Sequence, residues 1–436
     1  MQQSPTSSDA PPSGSATRVR FAVVAASVAM AFILYLDRIC LGEIVKSTSF
    51  KADIPLDKDQ IGTILGSFFL AYALAQVPSG WASDRFGTRR MLTIYIVGWS
   101  VMTALTGLAG GFAGLLLARL GCGIFEAGAY PACGGLIRRW MPFSGRARAS
   151  SAVAFGGRIG GALAPVLTAW MIVAFGDWRP ALLIDGLVGL AVAGAWWWIV
   201  RDRPEEHPWC NAAERTLLPA TAAETPPSLA TLARTLAAVV RNRSIWLISL
   251  VQTAVNVGWA FLVTWLPTYL VEVWQVEPIQ GGRMATTVLS CGMIGMLCGG
   301  VYCDWTTRRL GPRWGRAAPI ITGGALACAA YLACPRMGSA WGVVACCAVV
   351  SFATDLGVAA IWAFSQDVGG RSVGTVAGWG NMWGNLGASF SSKLLPWVIA
   401  TLDANKDWNE VFLACAASYV VAIVAALGID PRRTVE

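Results

Sequence analysis

The chain has 436 residues, 55% of them hydrophobic and 13% charged, with a formal net charge of +8. So apolar a composition excludes an ordinary soluble domain and points to a polytopic membrane protein. A positive balance also suits a nucleic-acid binder, so the placement of the charges has to decide between the two.

Residues 1–18 begin MQQSPTSSDAPPSGSAT, which is polar, proline-rich and without the basic start and cleavage site of a signal peptide; a disordered cytoplasmic tail is expected. About twelve apolar stretches follow, at 19–41, 59–82, 90–109, 113–137, 147–174, 180–200, 245–271, 281–303, 316–334, 341–364, 372–398 and 409–428. Each approaches the roughly 20 residues that cross a 30 Å hydrocarbon core. They are continuous, unlike the alternating segments of a membrane β-barrel, so an all-α polytopic fold is expected.

The first stretch ends in FILYLDRICLG, which sets Asp37 and Arg38 at hydrocarbon depth. Ionisable groups there are costly and usually line substrate or proton paths. Counted from Phe21 at about 1.5 Å per residue, Asp37 lies in the outer half of the bundle. The second stretch carries Tyr72 and Gln76, four residues apart, and closes in GWASDRFGTRR. A tight glycine turn, a carboxylate at a helix end and arginines facing lipid or helix carboxyl termini make Asp84, Arg85, Arg89 and Arg90 candidate gating residues.

In the fourth stretch Arg119 and Glu126 are seven apart, hence on one helix face and able to look into one cavity. Glycines and Pro131 near Glu126 leave room for backbone approach or water. Arg158, in GGRIGGALAP of the fifth stretch, is read as packing or an inner gate. Hydropathy then breaks over 201–243, a charged and proline-rich linker between six-helix bundles at 19–200 and 244–430. A degraded repeat supports the division: Gly80, Asp84 and Arg89 align on Gly300, Asp304 and Arg309 at an offset of 220. The second copy carries Trp305 and Thr307 in place of Arg85 and Gly87, which leaves a gating ion pair there open.

The seventh stretch has no arginine but offers Gln252, Asn256, Trp265 and Tyr269, neutral groups that suit hydroxyls. Asp355 in the tenth is deep enough to be a second titrating acid or an arginine's partner. Asn381 and Asn385 in the eleventh share one face among glycines. Each of these polar pairs could equally glue helices together. A structural ion network that merely clamps helices is the other reading of Asp37, Arg38, Arg119 and Glu126.

With the amino terminus in the cytoplasm, the arginines at 85–90, 138–148 and 308–316 all fall in cytoplasmic loops. This positive-inside pattern accounts for the net charge without nucleic acid. The twelve cysteines show no metal-ligand spacing and read as small core fillers. The sole histidine, His207, lies in the linker, so carboxylates must carry any proton coupling.

Taken together, YLDRICLG, FFLAYALAQVPSGWASDRFGTRR, ARLGCGIFEAGAYPA, GGRIGGALAP, VRDRPEEHPWCNAAE and WGNMWGNLGA resemble the anion:cation symporter family of the major facilitator superfamily. That family includes bacterial hexuronate, galactonate and glucarate transporters and animal vesicular and lysosomal anion carriers. The resemblance implies proton coupling and anion binding for Asp37, Arg38, Arg119 and Glu126, and sugar-acid contact for Tyr35. It matches Asn381 and Asn385 as a motif and gives no role to Asp355.

The expected function is proton-coupled import of a hexuronate, hexonate or aldarate across the cell membrane by alternating access. Asp37 and Glu126 would exchange protons. Tyr35, Arg38, Tyr72, Gln76, Arg119, Gln252, Asn256, Asn381 and Asn385 would contact substrate. The expected partners are a small organic anion, protons and the lipid bilayer, and the chain is expected to act as a monomer. No metal, cofactor or enzyme chemistry is expected, since no nucleophile converges with a base. An organic-anion or sugar-phosphate exchanger and a non-transporting membrane sensor are the alternatives.

Overall fold

The computed structural model describes residues 15–219, 229–401 and 408–435, and among them every regular element is helical. Hydrocarbon offers backbone groups no partners, so each apolar stretch closes its own hydrogen-bond ladder as a helix. In chain order these are α1 Val19–Ile44, α2 Thr48–Asp53, α3 Lys58–Phe86, α4 Thr88–Leu108, α5 Phe112–Glu126, α6 Ala129–Trp140, α7 Arg146–Phe175 and α8 Arg179–Ile199. The linker region holds α9 Ala212–Arg215 and α10 Leu229–Arg241. After it come α11 Arg243–Ala260, a π-helical turn Phe261–Trp265, α12 Leu266–Glu272, α13 Pro278–Ala333, α14 Ala340–Val368, α15 Val373–Thr401 and α16 Asn409–Leu427.

Among the described residues, ten helical stretches are long and apolar enough to cross a membrane. One of these, α13, is two spans joined at Gly311, whose φ of 77° and ψ of 177° interrupt the helix. Helix α15, 29 residues long, completes the set. The fourth span breaks after Glu126, between α5 and α6, and the seventh passes through the π turn. Sequence periodicity had drawn both as continuous helices. The expected tail falls outside the described residues up to position 14, but its end is docked. Glu214 of α9 accepts from the backbone N–H groups of Val19 and Arg20 at 3.0 and 3.1 Å, capping α1.

Two cores are distinct. Met30, Leu34, Trp99, Trp140 and Trp196 cluster within the first six spans. Phe261, Tyr269, Tyr331, Trp408 and Phe412 cluster within the last six. Within each set two helices cross at glycines: a Cβ at Gly160 of α7 would overlap the Phe32 carbonyl of α1. One at Gly295 of α13 would overlap that of Phe352 in α14. Small residues let helices approach closely where lipid gives no hydrophobic drive between them.

Burial is inverted relative to a water-soluble fold. Asp37, Arg119 and Glu126 are buried, while Leu74, Trp170, Val173 and Leu187 stand exposed. The chain is therefore a multi-pass membrane protein whose polar groups converge on its interior. Both described ends lie at one face, where the Val435 N–H donates to the Val368 carbonyl at 3.1 Å at the end of α14.

Candidate functional site

The break between α5 and α6 places Glu126 at a helix end against α1. Arg38 grips it with Nε and Nη2, each 2.8 Å from Oε2. The Arg38 guanidinium lies 4.9 Å from the Tyr35 ring centroid, 5.2 Å from that of Phe68 and 4.6 Å from that of Tyr72. Such an aromatic cage favours a cation and screens it from water. Glu126 itself has no exposed surface, whereas 14% of the Arg38 side chain is exposed.

Asp37 points the other way. It is 1% exposed, and among the described residues neither carboxyl oxygen has a hydrogen-bond partner. It shares its surroundings with Arg119, Glu126, Trp99 and Asp185 of α8. Asp185 was missed from sequence, although an aspartate amid the apolar run of α8 was visible there. With it the region holds three carboxyls and two arginines, so the count leaves no surplus cation. Geometry leaves a cation available instead. Arg119 donates to the Arg38 carbonyl at 3.2 Å and lies 4.8 Å from the Phe68 ring. Among the described residues no carboxylate comes within ion-pairing distance of it.

From Arg38 the site continues across the molecule. Asn381 of α15 donates to the Tyr72 hydroxyl at 3.4 Å and to Gln76 Oε1 at 2.9 Å. Gln76 is wholly buried and serves the join between the two sets of spans. Gln252 and Asn256 pack where Gly380 and Gly384 leave α15 without side chains. Asn256 and Asn385 each donate to a carbonyl one turn back, Gln252 and Asn381, at 2.8 Å. A narrow cleft lies here, lined by Tyr130, Pro131, Gln252, Trp362, Gln366 and Asn381 among others. The Tyr130 and Trp362 rings meet there at 4.7 Å, tilted by 60°. Tyr269, read from sequence beside Gln252, is instead buried in the aromatic core, where the Trp274 indole donates to its hydroxyl at 2.9 Å.

The repeated loops meet the opposite set of spans reciprocally. Asp84 accepts from the N–H of Gly374 and from the N–H and hydroxyl of Thr375, all at 2.8 Å, and so caps α15. Asp304 accepts from Nε and N–H of Arg148, at 2.8 and 3.3 Å, in the first turn of α7. The second copy thus does form an ion pair, with an arginine of the opposite set. Asp367 adds another, receiving Arg146 at 2.7 Å and Arg316 at 2.8 Å. Of the other loop residues, Arg89 donates to the Trp197 carbonyl at 2.6 Å and lies over its ring. Arg85 lies 5.5 Å from the Phe86 ring and Arg90 is exposed. Among the described residues, polar contacts between the two sets run from mid-depth to the terminus-bearing end. That end is closed.

The sequence profile of the Major Facilitator Superfamily matches residues 27–392. The probable sulfoacetate transporter SauU of Cupriavidus necator is 28% identical over 96% of this chain and 96% of its own length. The probable galactarate/D-glucarate transporter GudP of Bacillus subtilis is 26% identical over 95% of this chain and 93% of its own. In structure the chain is similar to the fucose:proton symporter FucP of E. coli, with a TM-score of 0.72 at 14% identity over 94% of this chain and 99% of that one. A twelve-span helical fold with its charges turned inward and a profile match across most of the sequence make this chain a member of the Major Facilitator Superfamily.

Proposed function

We propose that the protein imports a small hydroxylated organic acid, a sugar acid of the hexuronate, hexonate or aldarate type, together with protons. The observation that carries this reading is the buried Arg38–Glu126 pair. A guanidinium fork holds a carboxylate with two parallel hydrogen bonds, and Glu126 occupies that fork when no substrate does. A proton on Glu126 frees Arg38 for the substrate carboxylate, so proton and anion load together. Arg119 supports the bound anion from behind. Tyr35, Tyr72, Gln252, Asn256, Asn381 and Asn385 offer neutral groups to hydroxyls, and Asp37 is a second proton acceptor nearby.

The arginine-rich loops place the terminus-bearing end in the cytoplasm of a cell whose inner membrane holds the protein, with both termini inside. On that orientation the closed end is cytoplasmic, and the site loads from outside. Asp84 and Asp304 hold the closure, which opens as the two six-helix bundles rock and expose the site to the other side. Net entry of positive charge lets the membrane potential contribute about 2.3 kcal/mol per charge per 100 mV. The protein acts as a monomer in this scheme.

Reconstituted in liposomes, wild-type protein should accumulate a sugar acid against its gradient when the outside is acidified. Glu126→Gln should abolish that accumulation and keep counterflow exchange of the same acid. Accumulation that persists in Glu126→Gln would remove Glu126 from proton coupling.

A further inference from the structure

Arg158 of α7 reaches across to Asp355 of α14 with a single nitrogen. Nη2 donates to Oδ1 at 2.9 Å and to Oδ2 at 3.1 Å. Among the described residues Nε and Nη1 of Arg158 have no partner in the protein, and 24% of the side chain is exposed. Nε and Nη1 are thus left without a protein acceptor, while Nη2, common to both edges through which a guanidinium makes two parallel bonds, is held by Asp355.

The position separates this pair from the end closure. Arg158 lies ten residues beyond Arg148 in α7, about 15 Å deeper along the axis. It sits at the wall of the central site: its guanidinium is 5.3 Å from the Trp259 ring of α11. The neighbouring Gly157 packs against the Tyr130 hydroxyl and the Tyr35 ring. Tyr35 in turn carries Arg38 on its face. Two guanidinium groups thus flank one tyrosine, each held by a carboxyl of the protein, Glu126 for Arg38 and Asp355 for Arg158.

We propose that Arg158 is a second anion anchor, so that the carried molecule is a dianion with an acidic group toward each end. This rests on the sugar-acid reading above and narrows it, since Gln252, Asn256 and Asn381 then read the hydroxyls between the two ends. Sulfoacetate, galactarate and D-glucarate all have this two-ended acidity. When the second acid enters the fork of Arg158, Asp355 loses its counter-charge and takes up a proton. The groups facing Asp355 are Arg158 from α7, Ser351 on its own helix, Gly292 from α13, and Tyr419 from α16, which hydrogen-bonds Thr354. None of these but Arg158 is charged, and at Gly292 the carboxyl packs against bare backbone, where a Cβ would lie 2.7 Å from Oδ2.

The test is equilibrium binding to the full-length protein in lipid nanodiscs, using galactarate and galactonate, which share a six-carbon skeleton and differ in having two acids or one. Wild-type protein should bind galactarate about tenfold more tightly or better. Arg158→Gln should weaken galactarate by about tenfold more than galactonate, and Arg158→Lys should recover part of the difference. Asp355→Asn, which frees the fork without removing the cation, should tighten galactarate and flatten its dependence on pH. Equal affinities for the two acids in wild-type protein, or equal losses in Arg158→Gln, overturn the inference and leave the sugar-acid reading standing. Failure of both acids to bind overturns both.

Discussion

Asp84 and Thr375 are joined through two 2.8 Å hydrogen bonds, one to the backbone and one to the hydroxyl, so a carboxylate on α3 caps a helix of the opposite bundle. Asp304 treats Arg148 of α7 in the same way, and the two aspartates are the aligned residues of the sequence repeat. Helix N-termini attract carboxylates through unpaired N–H groups and the aligned peptide dipoles.

Loss of either cap should therefore favour opening of the terminus-bearing end. Replacing a capping side chain by alanine costs about 1 kcal/mol, somewhat less than tenfold in a population. In Asp84→Ala, amide hydrogen exchange at Gly374 and Thr375 should speed up by about that factor. Exchange as slow as in the wild type would mean that Asp84 does not hold the closure.

The same join depends on Gly80, where a Cβ would overlap the Gly374 carbonyl. Gly80→Val should prop the closure apart and reduce transport by more than about tenfold, since close backbone approach here leaves no room to relax. Gly66, exposed on the same helix with open space around it, is the control. Gly66→Ala should leave uptake within about twofold and raise the melting temperature slightly, as alanine is the better helix former. Equal transport in the two variants would count against the role of the crossing.

The Arg38–Glu126 pair should behave as a unit in stability. Removing Arg38 strands a carboxylate with no exposed surface, a loss of about 3 kcal/mol or more for buried pairs. Thermal unfolding in detergent should then rank Arg38→Gln below the double variant Arg38→Gln with Glu126→Gln. Additive effects of the two substitutions would show that the groups do not depend on each other.

His207 gives the linker a pH response. Its Nε2 meets the Ile199 carbonyl at 2.8 Å and its Nδ1 accepts from the Trp209 N–H at 3.2 Å, so the docked ring is neutral. Burial beside Trp140 and Trp209 lowers its pKa below the usual 6.5. A folded value depressed in this way gives stability that is present above pH 6.5 and lost as pH falls below it. Limited proteolysis between Pro204 and Arg215 should accelerate on acidification from pH 7.5 to about 5.5, and much less in His207→Gln. Identical acceleration in that variant would assign the response elsewhere.

Much of this was legible in the chain. Hydropathy located the spans because a bilayer forces helices of one length, and the YLDR and FEAG segments marked Arg38 and Glu126 because charges at that depth are rare. The partners were not legible. Spacing put Arg119 and Glu126 on one face of α5, but nothing in the spacing said that the ion-pair partner of Glu126 would be Arg38 of α1. The turn Phe261–Trp265 shifts the register of its span, so residues counted forward from Gln252 on a 3.6 period come out on the wrong face, and Tyr269 ends in the core. In the second repeat the turning glycine, Gly311, stands seven residues after Asp304, where Gly87 stands three after Asp84. The added helical turn hid a contact that the aspartate keeps.

The reciprocal caps have one more consequence. When the closed end parts, Asp84, Asp304 and Asp367 and two helix N-termini all become hydrated, so water and dissolved ions replace the partners they lose. Attraction between such groups is screened over about 8 Å at physiological ionic strength. On the proposed rocking mechanism, the preference for one facing over the other would be set in part by the electrolyte of the compartment that end meets, with concentrated salt loosening the latch and dilute buffer tightening it.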